Sequence, residues 1–417
     1  MQTVSDLGLA NSAARLLPKD TVCLSRTASV GYVVKMGREM ATSQDFVTWS
    51  CLEPLDADFL MNALLAEGQD IRRFGEGSTH TTIYFPEVKA FHIDLPPKAE
   101  QRRIVAKLDA LTARLARARA ELDRVAALAE QIRQCVLRNA FEGMLTAQWR
   151  TDHPDASPVH PRRPSEIRSK YSSANQLAEP FQVPPSWRWL RLPELGNLDR
   201  GKSRHRPRND PKLFGGPHPF IQTGDVRAAG QYLTSFSQTY SDFGLEQSRK
   251  WPIGSVCITI AANIAETTVL SIEACFPDSV VGFIADEERI CAEYIEYFVR
   301  TAKSDLSRFA PATAQKNINL EILGLVSVPV PPRREQDEVV RLIKAAFARA
   351  DRLEAEAARA RALLDRLESA ILAKAFRGEL VPQDPHDEPA SVLLDRIRAE
   401  RAAAPKPKRG RRAAADA

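Results

Sequence analysis

The sequence contains little cysteine, few aromatic residues and no long apolar run. Its 6 cysteines are scattered over 417 residues without a Cys-x-x-Cys pair. This argues against a disulfide framework or a zinc site and favours reduced thiols, as in the cytoplasm. No apolar stretch reaches the roughly 18 residues that a transmembrane helix needs, and Met1–Asp6 lacks the charged and apolar regions of a signal peptide.

Catalytic signatures are missing as well. There is no Gly-x-Ser-x-Gly, His-Glu-x-x-His or metal-spaced group of His and Cys, and no Asn-Pro-Pro-Tyr-like motif of adenine methyltransferases. Gly196–Ser203 matches the phosphate-loop pattern, but Pro207 and Pro211 follow it, so no helix can begin there to hold phosphates. We therefore expect no catalytic residue, no metal site and no nucleotide site in this chain.

The chain does contain an internal repeat of about half its length. Pro96–Gln101 recurs 235 residues later as Pro331–Gln336, and Ala140–Leu145 recurs at the same offset as Ala375–Leu380. Ser5–Leu9 likewise matches residues 241–245, in the same order along the chain. Such self-similarity predicts two copies of one structural unit.

A long helix is predicted between these landmarks in each repeat. Apolar residues recur at alternating spacings of four and three through Ile104–Val136 and again through Val339–Ile371. This period is that of a coiled-coil seam. Prolines just before and glycines just after fit helix start and stop signals. Each helix should span about 37 residues, or about 55 Å, and the matching seams favour mutual pairing over two unrelated core helices.

The remaining segments predict mixed α and β structure. Strands are expected at Thr21–Leu24, Val30–Val34, Ile83–Phe85, Val256–Ile260, Thr268–Ile272 and Val280–Ile284, and helices at Asp58–Glu67 and Cys291–Ser304. A proline-rich linker is expected in 146–185, and a short helix from about residue 389 to Ala403 before a basic tail.

One loop is strongly basic. Residues 196–216 hold six Lys or Arg against two acidic residues, whereas the whole chain carries a net charge of only +5. Such side chains neutralise phosphates and grip guanine edges, so we expect DNA contacts here, with a solvated charged loop as the alternative. The expected contact residues are Arg200, Lys202, Ser203, Arg204, Arg206, Arg208 and Lys212.

Weaker DNA-binding candidates lie in polar loops upstream of the two Pro-Pro landmarks and after a first-repeat strand, where ordinary turns are the alternative. They are Ser78, Thr79, His80 and Thr81, then Gln315, Lys316 and Asn317, and finally Arg26.

Each of the two α/β units is followed by Pro-Pro-x-x-Glu-Gln, a long heptad helix and Ala-Phe-x-Gly. This arrangement resembles the specificity subunit of type I restriction–modification systems. Pro184–Trp189 with Gly201–Ser203 and Pro219–Ile221 resembles the start of a target recognition domain, and residues 383–401 resemble a common C-terminal extension. The resemblance implies α/β (α+β) recognition domains joined by two long antiparallel coiled-coil helices in a pseudo-two-fold repeat.

The resemblance divides the chain into six segments. They are a partial first target recognition domain (1–97), a first long helix (98–145), a linker (146–180), a second recognition domain (181–332), a second long helix (333–380) and a C-terminal helix with basic tail (381–417). The resemblance implies a non-catalytic subunit that reads a bipartite double-stranded DNA site. Its expected partners are two modification (methyltransferase) subunits, whose docking surfaces would be the outer helix faces and the Phe141 and Phe376 ends, and in some complexes two restriction (motor-nuclease) subunits. S-adenosylmethionine, ATP and magnesium are expected on those partners, and none on this chain.

The first repeat departs from this pattern because it lacks the counterpart of about residues 181–236. A start site placed too far downstream, or an inactive relic, would explain the difference. A stand-alone architectural or regulatory coiled-coil DNA-binding protein remains the alternative function.

Overall fold

The computed structural model describes residues 4–12, 14–27, 30–51, 53–67, 82–167, 179–260, 265–302 and 320–403. The helices are α1 (Asp6–Ala10), α2 (Ala57–Glu67), α3 (Phe85–Lys89), α4 (Lys98–Phe141), α5 (Ala147–Asp152), α6 (Leu192–Leu195), α7 (Thr223–Ala228), α8 (Asp242–Glu246), α9 (Ala292–Ala302), α10 (Leu320–Leu325), α11 (Arg333–Phe376) and α12 (Ala390–Ala403). Among these described residues, no helix is both long and apolar enough to cross a membrane.

The strands are short, as expected for an α+β chain. They are β1 (Leu16–Leu17), β2 (Val22–Ser25), β3 (Val33–Lys35), β4 (Met40–Ala41), β5 (Phe46–Trp49), β6 (Arg188–Arg191), β7 (Gly196–Arg200), β8 (Phe214–Phe220), β9 (Tyr232–Leu233), β10 (Gln238–Tyr240), β11 (Lys250–Trp251), β12 (Val256–Thr259), β13 (Thr267–Leu270), β14 (Ala274–Cys275), β15 (Val280–Ala285) and β16 (Ser327–Val330).

The chain forms two compact units. Unit 1 comprises residues 1–124 and 356–417, and unit 2 comprises residues 125–355. Both long helices, α4 and α11, continue from one unit into the other, so each unit contains the first part of one and the last part of the other.

Unit 1 is built on an antiparallel sheet in the order β3-β2-β5. Val22 and Leu24 of the central strand β2 are fully buried and belong to the same cluster as Leu60 and Leu64 of α2. Cys23 and Ser25, which alternate with them along β2, are buried as well, so both faces of this strand are covered. Strands β1 and β4 form a separate antiparallel pair.

Unit 2 contains more sheet. Five strands pair in the order β7-β15-β12-β13-β9 and four in the order β10-β8-β14-β11, while β16 pairs with β6. The central strand β12 pairs with β15 in the register Val256↔Phe283, which repeats the register Val22↔Trp49 of β2 and β5. The sheets of the two units are therefore built on equivalent strands.

The two long helices pack antiparallel in both units. In unit 1, Arg119 of α4 contacts Glu368 of α11 at 2.6 Å, and in unit 2 Arg133 of α4 contacts Glu354 of α11 at 2.5 Å. The residue number on α11 decreases from 368 to 354 as the residue number on α4 increases from 119 to 133, so the two helices run antiparallel. Each helix has 44 residues, more than predicted, because it includes the landmark residues at both of its ends.

Burial along the predicted seam is uneven. Ile104, Leu108 and Ile343 are almost completely buried, whereas Ile132 and Leu367 are 43% and 49% exposed. Heptad spacing shows which positions share a stripe, but it does not show how much of that stripe a neighbour covers. The coiled-coil seam is therefore only partly covered at these positions.

Three other details differ from the sequence-based expectations. Ile83–Phe85 is not a strand: only Thr82 forms an isolated bridge, to Thr27, and α3 begins at Phe85. Pro86 at the start of this helix favours that outcome. The strand expected at Val30–Val34 begins only at Val33. Within the expected linker, residues 147–152 form α5.

The glutamine of the repeated Pro-Pro-x-x-Glu-Gln sequence has the same role in each unit. The Gln101 side chain accepts from the Asp56 amide at 2.7 Å and donates to the carbonyls of Pro54 and Pro96. Gln336 accepts from the Cys291 amide at 2.8 Å and donates to the carbonyls of Arg289 and Pro331. Each fully buried glutamine thus ties the start of a long helix to the start of an earlier helix of the same unit, α2 or α9.

Candidate nucleic-acid interface

The sequence that matches a phosphate loop is mostly a strand. Gly196–Arg200 is β7 and pairs with β15, and in the described stretch 201–210 no helix follows. A Cβ at Gly201 would lie 2.3 Å from the Pro277 carbonyl oxygen, so glycine is needed for close approach of two backbones. The expectation that this motif has no phosphate-binding helix is confirmed.

The residues that follow β7, here called the basic loop (residues 200–212), are held through their backbone. The amides of Gly201 and Lys202 donate to the carbonyls of Val280 and Phe276 at 2.9 and 3.1 Å. The Arg204 amide donates to the Gln247 carbonyl at 3.2 Å. The side chains of Arg200 and Arg208 add contacts to the carbonyl and the carboxylate of Asp278, whereas among the described residues those of Lys202, Arg204 and Lys212 take no part in holding the loop.

A second set of contacts fixes the far end of the basic loop. His205 Nε2 lies 2.7 Å from Asp210 Oδ2, and the other carboxylate oxygen of Asp210 accepts from the Lys212 amide at 3.0 Å. The backbone hydrogen bond from Lys212, followed by the one from His205, lowers the pKa of Asp210 below its ordinary value. Asp210 therefore remains ionised and caps the 3-10 helix Pro211–Leu213.

The basic side chains of this loop point to solvent. All six are exposed: Arg200, Lys202, Arg204, Arg206, Arg208 and Lys212. Arg208 pairs with Asp278 at 2.8 Å, and Arg206 donates to the backbone carbonyls of Ser203 and His205. Within the described part of the chain, the side chains of Lys202, Arg204 and Lys212 have no hydrogen bond or ion pair. An ordered backbone thus presents cations that are available to an anionic ligand.

The structure adds basic residues that the sequence analysis did not single out. Ser248 Oγ donates to the Lys202 carbonyl at 2.8 Å, so the segment 247–250 lies against the basic loop. Arg249 in this segment pairs with Asp199 at 3.0 Å, and its guanidinium lies 4.2 Å from the centre of the Trp251 ring. In the sequence, the only sign of a basic site here is the short Arg-Lys pair before Trp251. This pair does not indicate the contact between Ser248 and Lys202, which are 46 residues apart in the chain.

Of the other predicted contact residues, only Arg26 lies in the described part of the chain. Arg26 in unit 1 is half-buried, donates to the carbonyls of Gln44 and Ile83, and lies over the Phe85 ring at 5.3 Å. The remaining candidates, Ser78, Thr79, His80, Thr81, Gln315, Lys316 and Asn317, lie outside the described residues.

The phenylalanines at the helix ends belong to the cores. Phe141 is 3% exposed and packs edge-on against Tyr294 at 5.2 Å. Phe376, its repeat counterpart, packs against Phe59 at 5.3 Å. Phe141 is therefore a core residue and not an exposed docking surface, whereas Phe376 is only partly buried, so partner docking at that helix end stays a prediction.

Comparisons with known proteins agree with this geometry. A family model described as type I restriction modification DNA specificity domain matches residues 1–125 and 184–359, well over half of the chain. The type I restriction enzyme EcoDI specificity subunit of Escherichia coli is 27% identical over 369 residues, covering 84% of this chain and 79% of that subunit. The EcoKI specificity subunit of Escherichia coli K12 is 28% identical over 323 residues, covering 75% of this chain and 64% of that subunit.

A solved structure shows a similar fold. The HsdS subunit from Thermoanaerobacter tengcongensis matches with a TM-score of 0.56 and 22% sequence identity, covering 88% of this chain and 82% of that chain.

Proposed function

Because the chain belongs to the family of type I restriction modification DNA specificity domains, and is thus a DNA-recognition subunit without catalysis of its own, we propose that the basic loop of unit 2 contacts DNA. Unit 2 reads one half of a bipartite site in this proposal, and unit 1 corresponds to the other half. In this proposal the chain binds DNA in the cytoplasm.

The observation that carries the proposal is the combination of a fixed backbone and solvent-directed cations. Five of the six loop cations lie within Lys202–Lys212, and the side chains of Lys202, Arg204 and Lys212 take no part in holding the loop to the sheet. Phosphate contacts of this kind position a protein on DNA and release counterions. Arg204, Arg206 and Arg208 can also reach base edges, which carry the sequence information.

The test removes charge without disturbing the loop. In a Lys202→Ala, Arg204→Ala, Lys212→Ala variant, the plot of log K against log salt for DNA binding should flatten by about 0.9 for each phosphate that is no longer neutralised, or about 2.7 in total. An unchanged slope would show that the loop is an ordinary solvated surface. The matched control is Arg377→Ala, Arg396→Ala, Arg398→Ala, which removes the same charge from exposed side chains elsewhere and should leave the slope as it is.

Specificity subunits assemble with other subunits of their complexes, and two equivalent apolar surfaces on the long helices fit two copies of one partner. Leu128 and Ile132 on α4 in unit 2 are 53% and 43% exposed, and their counterparts 235 residues later, Leu363 and Leu367 on α11 in unit 1, are 61% and 49% exposed. Exposed apolar pairs one helical turn apart are typical of partner contacts. The proposed partners are two modification (methyltransferase) subunits, with two restriction (motor-nuclease) subunits joining for cleavage. S-adenosylmethionine, ATP and magnesium would be bound by those subunits.

Stoichiometry tests this arrangement. Leu128→Glu with Ile132→Glu should leave a complex with one modification subunit, and combining this change with Leu363→Glu and Leu367→Glu should leave none, as measured by mass of the copurified complex. Val392→Glu on α12, where Val392 is 50% exposed, is the matched control and should leave both copies bound. Retention of two copies in the fourfold variant would show that the partners dock elsewhere.

A further inference from the structure

Two glutamates at the starts of the long helices occupy equivalent positions, and among the described residues only one of them has hydrogen-bond donors. Glu335 of α11 is fully buried. Its carboxylate accepts from Trp187 Nε1 at 3.0 Å, from Thr146 Oγ1 at 2.7 Å and from Arg150 Nη1 at 2.6 Å. Both carboxylate oxygens of Glu335 therefore accept hydrogen bonds. A buried carboxylate requires this because it has lost its hydrogen bonds to water.

Glu100 of α4, 235 residues earlier, is 3% exposed. Among the described residues no side chain or amide donates to its carboxylate. The positions that correspond to Thr146 and Arg150 are Val381 and Pro385, which have no side-chain donor. The counterpart of Trp187 would lie in the segment that the first repeat lacks. Burial accordingly raises the pKa of Glu100.

The sheet edges next to Glu100 show the same difference. In unit 2, Ser327–Val330 is fully buried as β16 and pairs with β6, the strand that follows Trp187. The corresponding residues of unit 1, His92–Leu95, form no strand, and Ile93 is 38% exposed. In unit 2 the outer edge of β15 pairs with β7, whereas the same edge of β5 has no strand partner among the described residues.

The glycines that end the long helices complete the pattern. Gly143 and Gly378 both have positive φ, at 79° and 73°. A Cβ at Gly143 would lie 2.5 Å from Pro184 Cγ, because the segment before Trp187 packs on this turn. A Cβ at Gly378 would meet nothing closer than Gln383 Nε2 at 3.8 Å. The described residues of unit 1 therefore leave uncovered, at four separate places, the surface that residues 184–200 cover in unit 2.

We propose that unit 1 is the docking site for a polypeptide segment outside residues 1–417 with the chemistry of residues 184–200. This segment has a proline-flanked tryptophan followed by two short strands. Its indole N–H donates to Glu100, its first strand pairs with His92–Leu95, its second strand pairs with β5, and its prolines pack on Gly378. Strand addition of this kind takes affinity from main-chain hydrogen bonds and specificity from the seated side chain. The proposal stands on the repeat and its contacts, independently of DNA binding.

The experiment uses the full chain and a synthetic peptide with the sequence of residues 180–202. We expect saturable binding of one peptide per chain, measured by fluorescence anisotropy. Hydrogen exchange should slow at Phe46–Trp49 and His92–Leu95. No saturable binding, or slowed exchange only at β15 and β16, where the peptide would have displaced the chain's own segment, would overturn the proposal.

Two matched changes test the central contact. Glu100→Ala in the chain, or Trp187→Phe in the peptide, should each weaken binding about tenfold, since each removes a hydrogen bond to a charged group. The two together should weaken it no further, because both changes remove the same hydrogen bond. Glu121→Ala, on an exposed part of the same helix, should leave the affinity unchanged. The peptide change also tests the contact without altering the folding of the chain. Full affinity after both changes would show that the carboxylate does not hold the indole.

Discussion

Units 1 and 2 share a junction but differ in the sheet that the junction supports. In both, a buried glutamine at the start of a long helix makes three hydrogen bonds to equivalent backbone groups, and the central strands pair in the same register. Only unit 2 carries the segment that adds strands β6 and β7 and satisfies the neighbouring glutamate. The comparison shows that the helix–sheet junction forms without this segment, whereas the indole hydrogen bond to the buried carboxylate there depends on it.

The largest expected effect is at the glutamates themselves. Glu335→Ala leaves the indole of Trp187 and the guanidinium of Arg150 without their acceptor, and should lower the free energy of unfolding by about 3–5 kcal/mol. Glu100→Ala should cost far less, because no donor is left without its partner. Urea denaturation gives the two values, and hydrogen exchange assigns each decrease to its unit. Equal decreases in the two variants would mean that Glu100 has donors after all.

A smaller difference is expected at the glycines that end the long helices. Gly378→Ala should cost about 1–2 kcal/mol, the usual cost of placing an L-residue in the left-handed region. Gly143→Ala should cost about 1–3 kcal/mol more, since its new methyl group would clash with Pro184. The measurement is again the free energy of unfolding. If the two variants are equally stable, Pro184 moves away freely and the covering segment is loosely held.

The smallest effect is the pH dependence that Glu100 gives to the stability of unit 1. Burial raises the pKa of Glu100 above its ordinary value of 4.5, so the folded state holds this proton more tightly than the unfolded state does. Unit 1 should therefore gain stability as the pH falls through the raised pKa towards 4.5, and lose this gain as the pH rises. Glu100→Gln should be more stable than the natural chain at pH 7, and the difference should vanish below pH 4.5. A difference that is constant with pH would contradict the role of the carboxylate charge.

The sequence predicted the repeat, the long helices and the basic loop, because periodicity and charge are local properties. The strand expected at Ile83–Phe85 was wrong because a three-residue apolar run does not distinguish a strand from the start of a helix at Pro86. The role of the Glu-Gln landmark could not be predicted, since its partners lie between 5 and 189 residues away in the chain. Exposure of the basic side chains is confirmed, whereas their contact with DNA stays a prediction.

Two ion pairs between the long helices distinguish the first repeat from the second. Arg119 of α4 meets Glu368 of α11, and Arg133 of α4 meets Glu354 of α11. Glu354 and Glu368 are the repeat counterparts of Arg119 and Arg133, so both cations are in the first copy and both anions in the second.

Two first copies paired in the same antiparallel register would bring Arg119 against Arg133, and two second copies would bring Glu354 against Glu368. Like charges at such positions disfavour self-pairing. These two ion pairs therefore favour the pairing of a first-copy helix with a second-copy helix over the pairing of either helix with itself.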